Sequence, residues 1–312
     1  MRILLTGSSG QVGWELQRSL AAFGEVVCAG RAASVNSEDN SLHLDLSAPE
    51  TICSVIREVK PNLIVNPAAY TAVDKAETEP QLAMAVNGTA PGIIAEEAKR
   101  LGAVVIHYST DYVFNGTQST PYTEDDQPDP QNIYGRTKLA GEKAIQAVDV
   151  PHLILRTSWV YGLRGKNFLL TMLKLARERE ELKVVNDQIG APTWSRMIAT
   201  VSADIVAQGQ TDLVDFISSN SGIYHLTATG QTSWYEFAKA IFENDPNKNQ
   251  QKLKHLLPIP SHEYPTPAKR PAYSTLDTSK ISKKFSINLY NWQDALLSAF
   301  AESISVPLAF QR

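Results

Sequence analysis

The sequence predicts an α/β protein, a doubly wound parallel sheet followed by a smaller C-terminal α/β unit. Three observations carry that expectation. Short apolar runs alternate with stretches of helical period through the first half. A glycine-rich turn joins the first run to the first helix. The second half loses the alternation and gains proline-rich connections. Strand–helix alternation builds a parallel sheet covered on both faces. Right-handed crossovers leave few topologies, and the doubly wound order is the common one.

The elements follow in order. Residues 2–6 (RILLT) read as a buried strand. Residues 11–23 carry Val12, Leu16, Leu20 and Phe23 at helical spacing. Residues 25–29 (EVVCA) and the LHL at 42–44 read as the second and third strands. Residues 50–59 place Ile52, Val55, Ile56 and Val59 on one stripe. Strands are expected at 62–66, 103–109 and 152–158, with a long helix over 80–101 and another over 133–148. Segment 115–132 is polar and proline-rich, a surface loop of a length more often functional than accidental. Helices are expected at 166–180, 193–207 and 233–243, and a returning strand at 222–227. Residues 258–277 hold five prolines and are expected to be irregular. Residues 1–157, with 192–226 returning to them, are read as one domain. Residues 158–191 and 227–312 are read as the other.

Composition narrows the class. The chain has 312 residues, 43% hydrophobic and 20% charged, enough to bury a full core and form a deep cleft. A net charge of -4 with no dense run of Lys and Arg disfavours a broad nucleic-acid surface; a local cationic site for a phosphate remains compatible. No stretch approaches the ~20 apolar residues of a membrane span. The apolar run at the N-terminus is too short for a signal segment, so a cytoplasmic location is expected. Cys28 and Cys53 lack metal-ligand spacing and read as small buried residues, and no metal is expected.

The glycine turn is TGSSGQVG, Thr6 to Gly13, with Gly7, Gly10 and Gly13 in a GxxGxxG spacing. A structural turn alone would explain three glycines. A strand before and a helix after favour a dinucleotide loop of the Rossmann kind. There the backbone approaches a pyrophosphate and the helix N-terminus presents N–H groups and partial positive charge. Where NAD-selective sites usually carry an acid after the second strand, this chain has Gly30-Arg31. A guanidinium suits a 2′-phosphate, which points to NADPH, with NADH still possible; the competing reading of Arg31 is a solvated surface charge. Asp45 follows the third strand, where an acid can accept from an adenine amino group.

Tyr134 and Lys138 form a YxxxK pair, one face of a helix. A nearby ammonium favours the phenolate, so Lys138 is expected to lower the Tyr134 pKa. The phenol can then give a proton to a carbonyl oxygen as hydride arrives. An isolated YxxxK is usually an ordinary helix, and this one gains force from its company. The run HYSTDYVF delivers Ser109, Thr110 and Asp111 at the carboxyl end of a strand, where ligands bind in such sheets. Thr110 is assigned as the hydroxyl that tunes the tyrosine. Asn66 to Thr71 (NPAAYT) ends another core strand, and small Ala68 and Ala69 let backbone approach a cofactor. Trp159 follows a core strand and can stack on a sugar or base, or serve as core. Arg270, in PAKRPAYS, suits a diphosphate bidentately, or is a loop charge.

Together these residues resemble the extended short-chain dehydrogenase/reductases, and within them the reductases acting on dTDP-4-dehydro-L-rhamnose. The likeness runs through TGSSGQVGWELQRSL, NPAAYTAVDKAE, HYSTDYVFNG, NIYGRTKLAGEKA, LRTSWVYG, NDQIGAPT and YPTPAKRPAYSTLDTSK. It implies reduction of the sugar 4-keto group by NAD(P)H. It further implies that Gly10, Gln11 and Val12 cradle the pyrophosphate, that Asp45 and Leu46 meet the adenine, and that Ala69, Tyr70 and Thr71 line the cofactor. By the same resemblance Tyr134 is the proton donor beside Lys138 and Thr110. Thr110, Asp111 and Trp159 contact the sugar nucleotide, with Asn167, Phe168 and Arg270 facing it from the smaller domain. Some members dimerise through a metal held by carboxylates. The corresponding positions here are Arg196 and Gln293, so no required metal is expected, and the chain is expected as monomer or homodimer.

Other activities of the same fold make different demands on the sequence. Sugar-nucleotide dehydratases need an Asp-Glu pair after the catalytic Thr, and this chain has Asp111 followed by Tyr112. Epimerases share the fold. A regulatory subunit that binds NADP without turnover would not require Tyr134, Lys138 and Thr110 together.

Overall fold

The computed structural model describes residues 1–31 and 41–305. The chain begins β1 (Arg2–Thr6), α1 (Gln11–Leu20), β2 (Glu25–Gly30), β3 (Leu42–His43), α2 (Pro49–Val59) and β4 (Leu63–Asn66). Then come α3 (Val73–Ala76), α4 (Pro80–Met84), α5 (Ala90–Leu101), β5 (Val104–Thr110), α6 (Ile133–Val148) and β6 (His152–Thr157). The second half holds β7 (Val160–Tyr161), α7 (Phe168–Glu178), β8 (Glu181–Val185), β9 (Ile189–Gly190), β10 (Thr193–Trp194), α8 (Ser195–Gln208) and α9 (Leu213–Ser219). It ends with β11 (Gly222–His225), β12 (Thr232–Ser233), α10 (Trp234–Asn244), β13 (His255–Ile259), α11 (Ser279–Phe285) and α12 (Trp292–Ser305).

Seven strands form one parallel sheet in the order β11-β6-β5-β4-β1-β2-β3. This is the expected doubly wound fold. The chain steps outward from β1 to β3, then returns and steps the other way from β4. The switch point therefore lies between β1 and β4, and in such sheets ligands bind at the strands' carboxyl ends there. Burial explains the strand sequences: Ile3, Leu4 and Leu5, Leu63, Ile64 and Val65, and Val104 and Val105 are all fully buried. Both faces of a parallel sheet are covered, so these strands are apolar throughout rather than alternating. Leu16 and Leu20 of α1 pack with Ile198 and Ile205 of α8 on one face. Ile52 and Ile56 of α2, Ile94 of α5 and Ile145 of α6 cover the other.

Three details differ from the sequence expectation. The helix over 80–101 is interrupted by a π turn, Ala85–Thr89, where the Ala90 N–H returns to the Ala85 carbonyl. Pro91 has no N–H to offer the carbonyl four residues back, so the backbone widens there. The segment from 258 is not wholly irregular: Pro258 and Ile259 end β13, which pairs in parallel with β8. A two-stranded ribbon tolerates proline because its free edge needs no donor. Cys28 is buried as expected, but Cys53 is only half-buried. No described helix is long and apolar enough to cross a membrane.

Candidate functional site

The site begins with the loop between β1 and α1. Gly7 takes φ +60°, and its N–H donates to Ala29 O at 2.9 Å, tying the turn to β2. A Cβ on Gly7 would lie 2.9 Å from the Ala68 Cβ, so the loops after β1 and β4 meet at the switch point. A Cβ on Gly13 would sit 2.1 Å from the Gly7 carbonyl oxygen, an impossible approach. Gly10 is the N-cap of α1 and brings no side chain to cap it. The first-turn N–H groups are thus left for an anion. A side-chain-free cradle facing a helix N-terminus fits a pyrophosphate. Gly13→Ala is expected to weaken NADPH binding at least tenfold, as read by fluorescence titration, because the loop must open to admit the methyl group. Undiminished affinity would mean that the loop holds no phosphate.

Around the loop, Asp45 accepts from the Ser47 N–H and hydroxyl at 2.9 and 2.7 Å. These bonds, with a smaller contribution from the Arg31 charge, hold its carboxyl below the usual range. Leu46 is buried against α2, and Arg31 is exposed at the end of β2. After β4, Asn87 in the π turn brackets Tyr70: its Oδ1 accepts the Tyr70 N–H at 2.8 Å and its Nδ2 donates to the Tyr70 carbonyl at 3.1 Å. The Tyr70 phenol donates to Glu79 at 2.7 Å. Ala68 and Ala69 are half-buried beside this bracket, and Thr71 is exposed.

Helix α6 brings the pair. Asn132 caps it, accepting the Gly135 N–H at 2.8 Å, and its Nδ2 donates to Lys269 O at 2.8 Å. Tyr134 therefore starts a helix tied to the loop that carries Arg270. The Tyr134 ring stands edge-on to Tyr112, 5.6 Å between centroids. Burial raises its pKa, partly offset by the hydrogen bond from Thr110; the Asp111 and Tyr112 charges raise it further. Here the expectation fails. The groups that act on the phenol are Thr110, Asp111 and Tyr112 rather than Lys138. The ammonium has other partners: Nζ donates to Tyr108 O at 2.6 Å and lies 3.2 Å from His107 Nε2. Burial lowers the Lys138 pKa to about 8, against a smaller raising effect of Glu142.

Thr110 ends β5 and Asp111 opens the 3-10 turn that follows, both buried. Thr110 Oγ1 lies 3.0 Å from Asp111 Oδ1 and accepts the Tyr112 N–H at 3.2 Å. Burial raises the Asp111 pKa to about 7, opposed by hydrogen bonds from Ser274 and Thr110. Asp111 Oδ2 is buried without a partner among the described residues, as is Ser109 Oγ.

Arg270 donates to the Tyr112 phenol at 2.9 Å and to Asp74 at 2.8 Å, so its guanidinium is linked through Tyr112 towards Tyr134. Trp159 sits at φ +46°, a conformation uncommon for a bulky residue and often kept at functional sites. Its indole stacks on Trp234, 3.5 Å and 7° apart. Phe168 packs on Trp234 at 4.6 Å. Asn167 caps α7, and its Nδ2 donates to Gln11 Oε1 at 2.8 Å and Gly162 O at 2.9 Å. That bond joins α7 to the glycine loop. Val12 is half-buried and packs into the core. Arg196 is paired to Glu15 at 3.0 Å and Glu302 at 2.7 Å, while Gln293 is exposed.

Sequence reasoning missed Asn87, Ser274 and Trp234. Asn87 lies inside a helical pattern where a polar residue has no obvious use. Ser274 and Trp234 reach the site from segments distant in sequence.

The family model of the RmlD substrate binding domain matches residues 1–304. Among curated relatives, dTDP-4-dehydrorhamnose reductase of Escherichia coli is 48% identical over 296 residues, covering 94% of this chain and 95% of that protein. The enzyme of the same description from Burkholderia thailandensis is 46% identical over 299 residues, 95% and 97% of the two chains. Among solved structures, dTDP-4-dehydrorhamnose reductase of Bacillus anthracis in complex with NADP superimposes with a TM-score of 0.84 at 33% identity, covering 96% of this chain and 99% of that one.

Proposed function

The chain belongs to the RmlD substrate binding domain family, and from that premise we propose that it reduces the 4-keto group of dTDP-4-dehydro-L-rhamnose to dTDP-L-rhamnose. The observation that carries the proposal is the Tyr134 phenol, kept protonated by burial and hydrogen-bonded to Thr110 at the carboxyl end of β5. NADPH, when bound, supplies the hydride. Gly7, Gly10, Gln11 and Val12 hold its pyrophosphate, Asp45 and Leu46 its adenine end, and Ala68, Ala69, Tyr70 and Thr71 the wall of the crevice. Lys138, buried on α6 against β5, holds the ribose.

The chain's own part in the reaction is proton delivery and positioning. As negative charge grows on the 4-oxygen, the Tyr134 hydroxyl donates its proton there. Thr110 Oγ1 orients the phenol. Asp111, Trp159, Asn167, Phe168 and Arg270 hold the sugar nucleotide, with residues 158–191 and 227–305 forming its side of the cleft and residues 1–31, 41–157 and 192–226 the cofactor side. A raised tyrosine pKa suits an acid: the phenol arrives protonated at neutral pH. The setting is the cytoplasm.

Consumption of NADPH with the 4-keto sugar nucleotide, and appearance of the 4-hydroxy product, tests the reading. Tight NADP binding without turnover would favour the regulatory alternative. Arg31→Glu is expected to lower the NADPH-over-NADH preference in kcat/KM about tenfold or more, since it exchanges an attraction for a repulsion at the 2′-phosphate. An unchanged ratio would make Arg31 a surface charge.

A further inference from the structure

Behind Lys138 lies a row of buried polar groups that the reaction above does not use. The Thr6 hydroxyl lies 2.6 Å from Asn66 Oδ1, Asn66 Nδ2 lies 3.1 Å from His107 Nδ1, and His107 Nε2 lies 3.2 Å from Lys138 Nζ. The four residues come from β1, β4, β5 and α6, and Asn66 and His107 are register partners. Each is at most 1% exposed. A polar row this deep is costly unless every proton meets an acceptor.

Proton bookkeeping allows two arrangements. An ammonium only donates, so with Lys138 charged His107 Nε2 must accept and Nδ1 must carry the ring proton. Nδ1–H then needs the Asn66 oxygen, and the Asn66 amide group turns to the Thr6 hydroxyl. A neutral amine has a lone pair that lets the chain through His107 reverse, while an N–H stays on the Tyr108 carbonyl. Nε2–H then donates to Nζ, Nδ1 accepts from Asn66 Nδ2, and the Thr6 hydroxyl donates to Asn66 Oδ1. The imidazole cannot escape by becoming cationic, because burial, followed by the Lys138 charge, holds its pKa well below the usual value.

We propose that Asn66 and His107 are positioning residues for Lys138, forming a two-state hydrogen-bond chain whose tautomer follows the charge of the lysine. In the charged state Tyr108 O and His107 Nε2 take two of the three ammonium N–H groups and leave one for a ligand. The titratable and charged groups around the lysine are few. Glu142 lies one turn along α6 and is paired to Arg156. His107 faces from β5, and Asp111, Tyr112 and Tyr134 lie on the side of the phenol, with Arg270 beyond Tyr112. The Lys138 pKa of about 8 puts the changeover close to neutral pH. The inference rests on the reading of Lys138 as a cofactor-holding residue, but its first test needs no turnover.

That test is nitrogen-15 NMR of the histidine-labelled protein from about pH 6 to about 10, spanning the Lys138 change. A His107→Gln sample assigns the signal. Below the changeover Nδ1 should carry the proton; above it Nε2 should, with a midpoint near the Lys138 value. An unchanged tautomer across the range, or a cationic ring, overturns the proposal whether or not the chain is a reductase. The second test is the pH profile of kcat/KM. His107→Leu removes one charge-assisted acceptor and should move the alkaline limb down by about one pH unit. His107→Gln, whose amide oxygen accepts, should move it back. A uniform loss of rate with an unmoved limb would assign His107 to packing and overturn the proposal.

Discussion

Tyr134→Phe is expected to cut kcat by about 10²- to 10⁴-fold, the usual contribution of a positioned general acid. The substitution removes one oxygen and keeps the ring, so the edge-on contact with Tyr112 survives. NADPH affinity and melting temperature should therefore change little. The loss should fall on kcat rather than on KM, because the proton is delivered in the transition state. The pH dependence has a definite sign. Burial raises the phenol pKa, so the acid form persists through neutral pH and no loss from tyrosine ionisation should appear there. A Phe variant with near-normal kcat would remove Tyr134 from the mechanism. A large drop in NADPH affinity would instead make it a binding residue.

The second large effect concerns stability. Glu142→Ala should cost about 3–5 kcal/mol of unfolding free energy, measured by urea denaturation, because it leaves a buried guanidinium without its partner. Arg156 and Glu142 form a two-pronged pair at 2.9 and 2.7 Å with side chains 2% and 1% exposed. Arg156 also packs over the Phe114 ring at 5.1 Å. The pair fastens α6 to β6, so the helix that carries Tyr134 and Lys138 is held to the sheet by a charge contact as well as by Ile145. Replacing both partners with apolar residues, Glu142→Leu with Arg156→Met, should recover most of the loss, since the desolvation cost disappears with the charges. A single substitution costing under about 1 kcal/mol would show that water reaches the guanidinium.

Much of the fold was legible because a parallel sheet writes itself as apolar runs: β1, β4, β5 and β6 lie where RILLT, NLIVN, AVVIHYS and HLILRTS predict them. The glycine turn was legible because only glycine fits at Gly7 and Gly13. The second half was less so. Strand β8 and helices α9, α11 and α12 are short or weakly patterned and take their shape from packing on distant elements. Local reasoning placed Tyr134 and Lys138 on one helix face and concluded that the ammonium acts on the phenol. It could not see that Tyr108 O and His107 capture the lysine from β5. Nor could it see that Asp74 engages Arg270 from α3, since 196 residues separate them in the chain.

The proposed reaction requires Tyr134 to meet a sugar carbonyl beside a dinucleotide held at the switch point between β1 and β4. A crystal structure of the protein with NADP and a dTDP-sugar tests this most directly. The account predicts the pyrophosphate on the first turn of α1 and the Tyr134 hydroxyl within hydrogen-bond reach of the sugar 4-oxygen. A dinucleotide bound elsewhere, or a sugar whose 4-oxygen lies out of reach of both Tyr134 and Thr110, would contradict it.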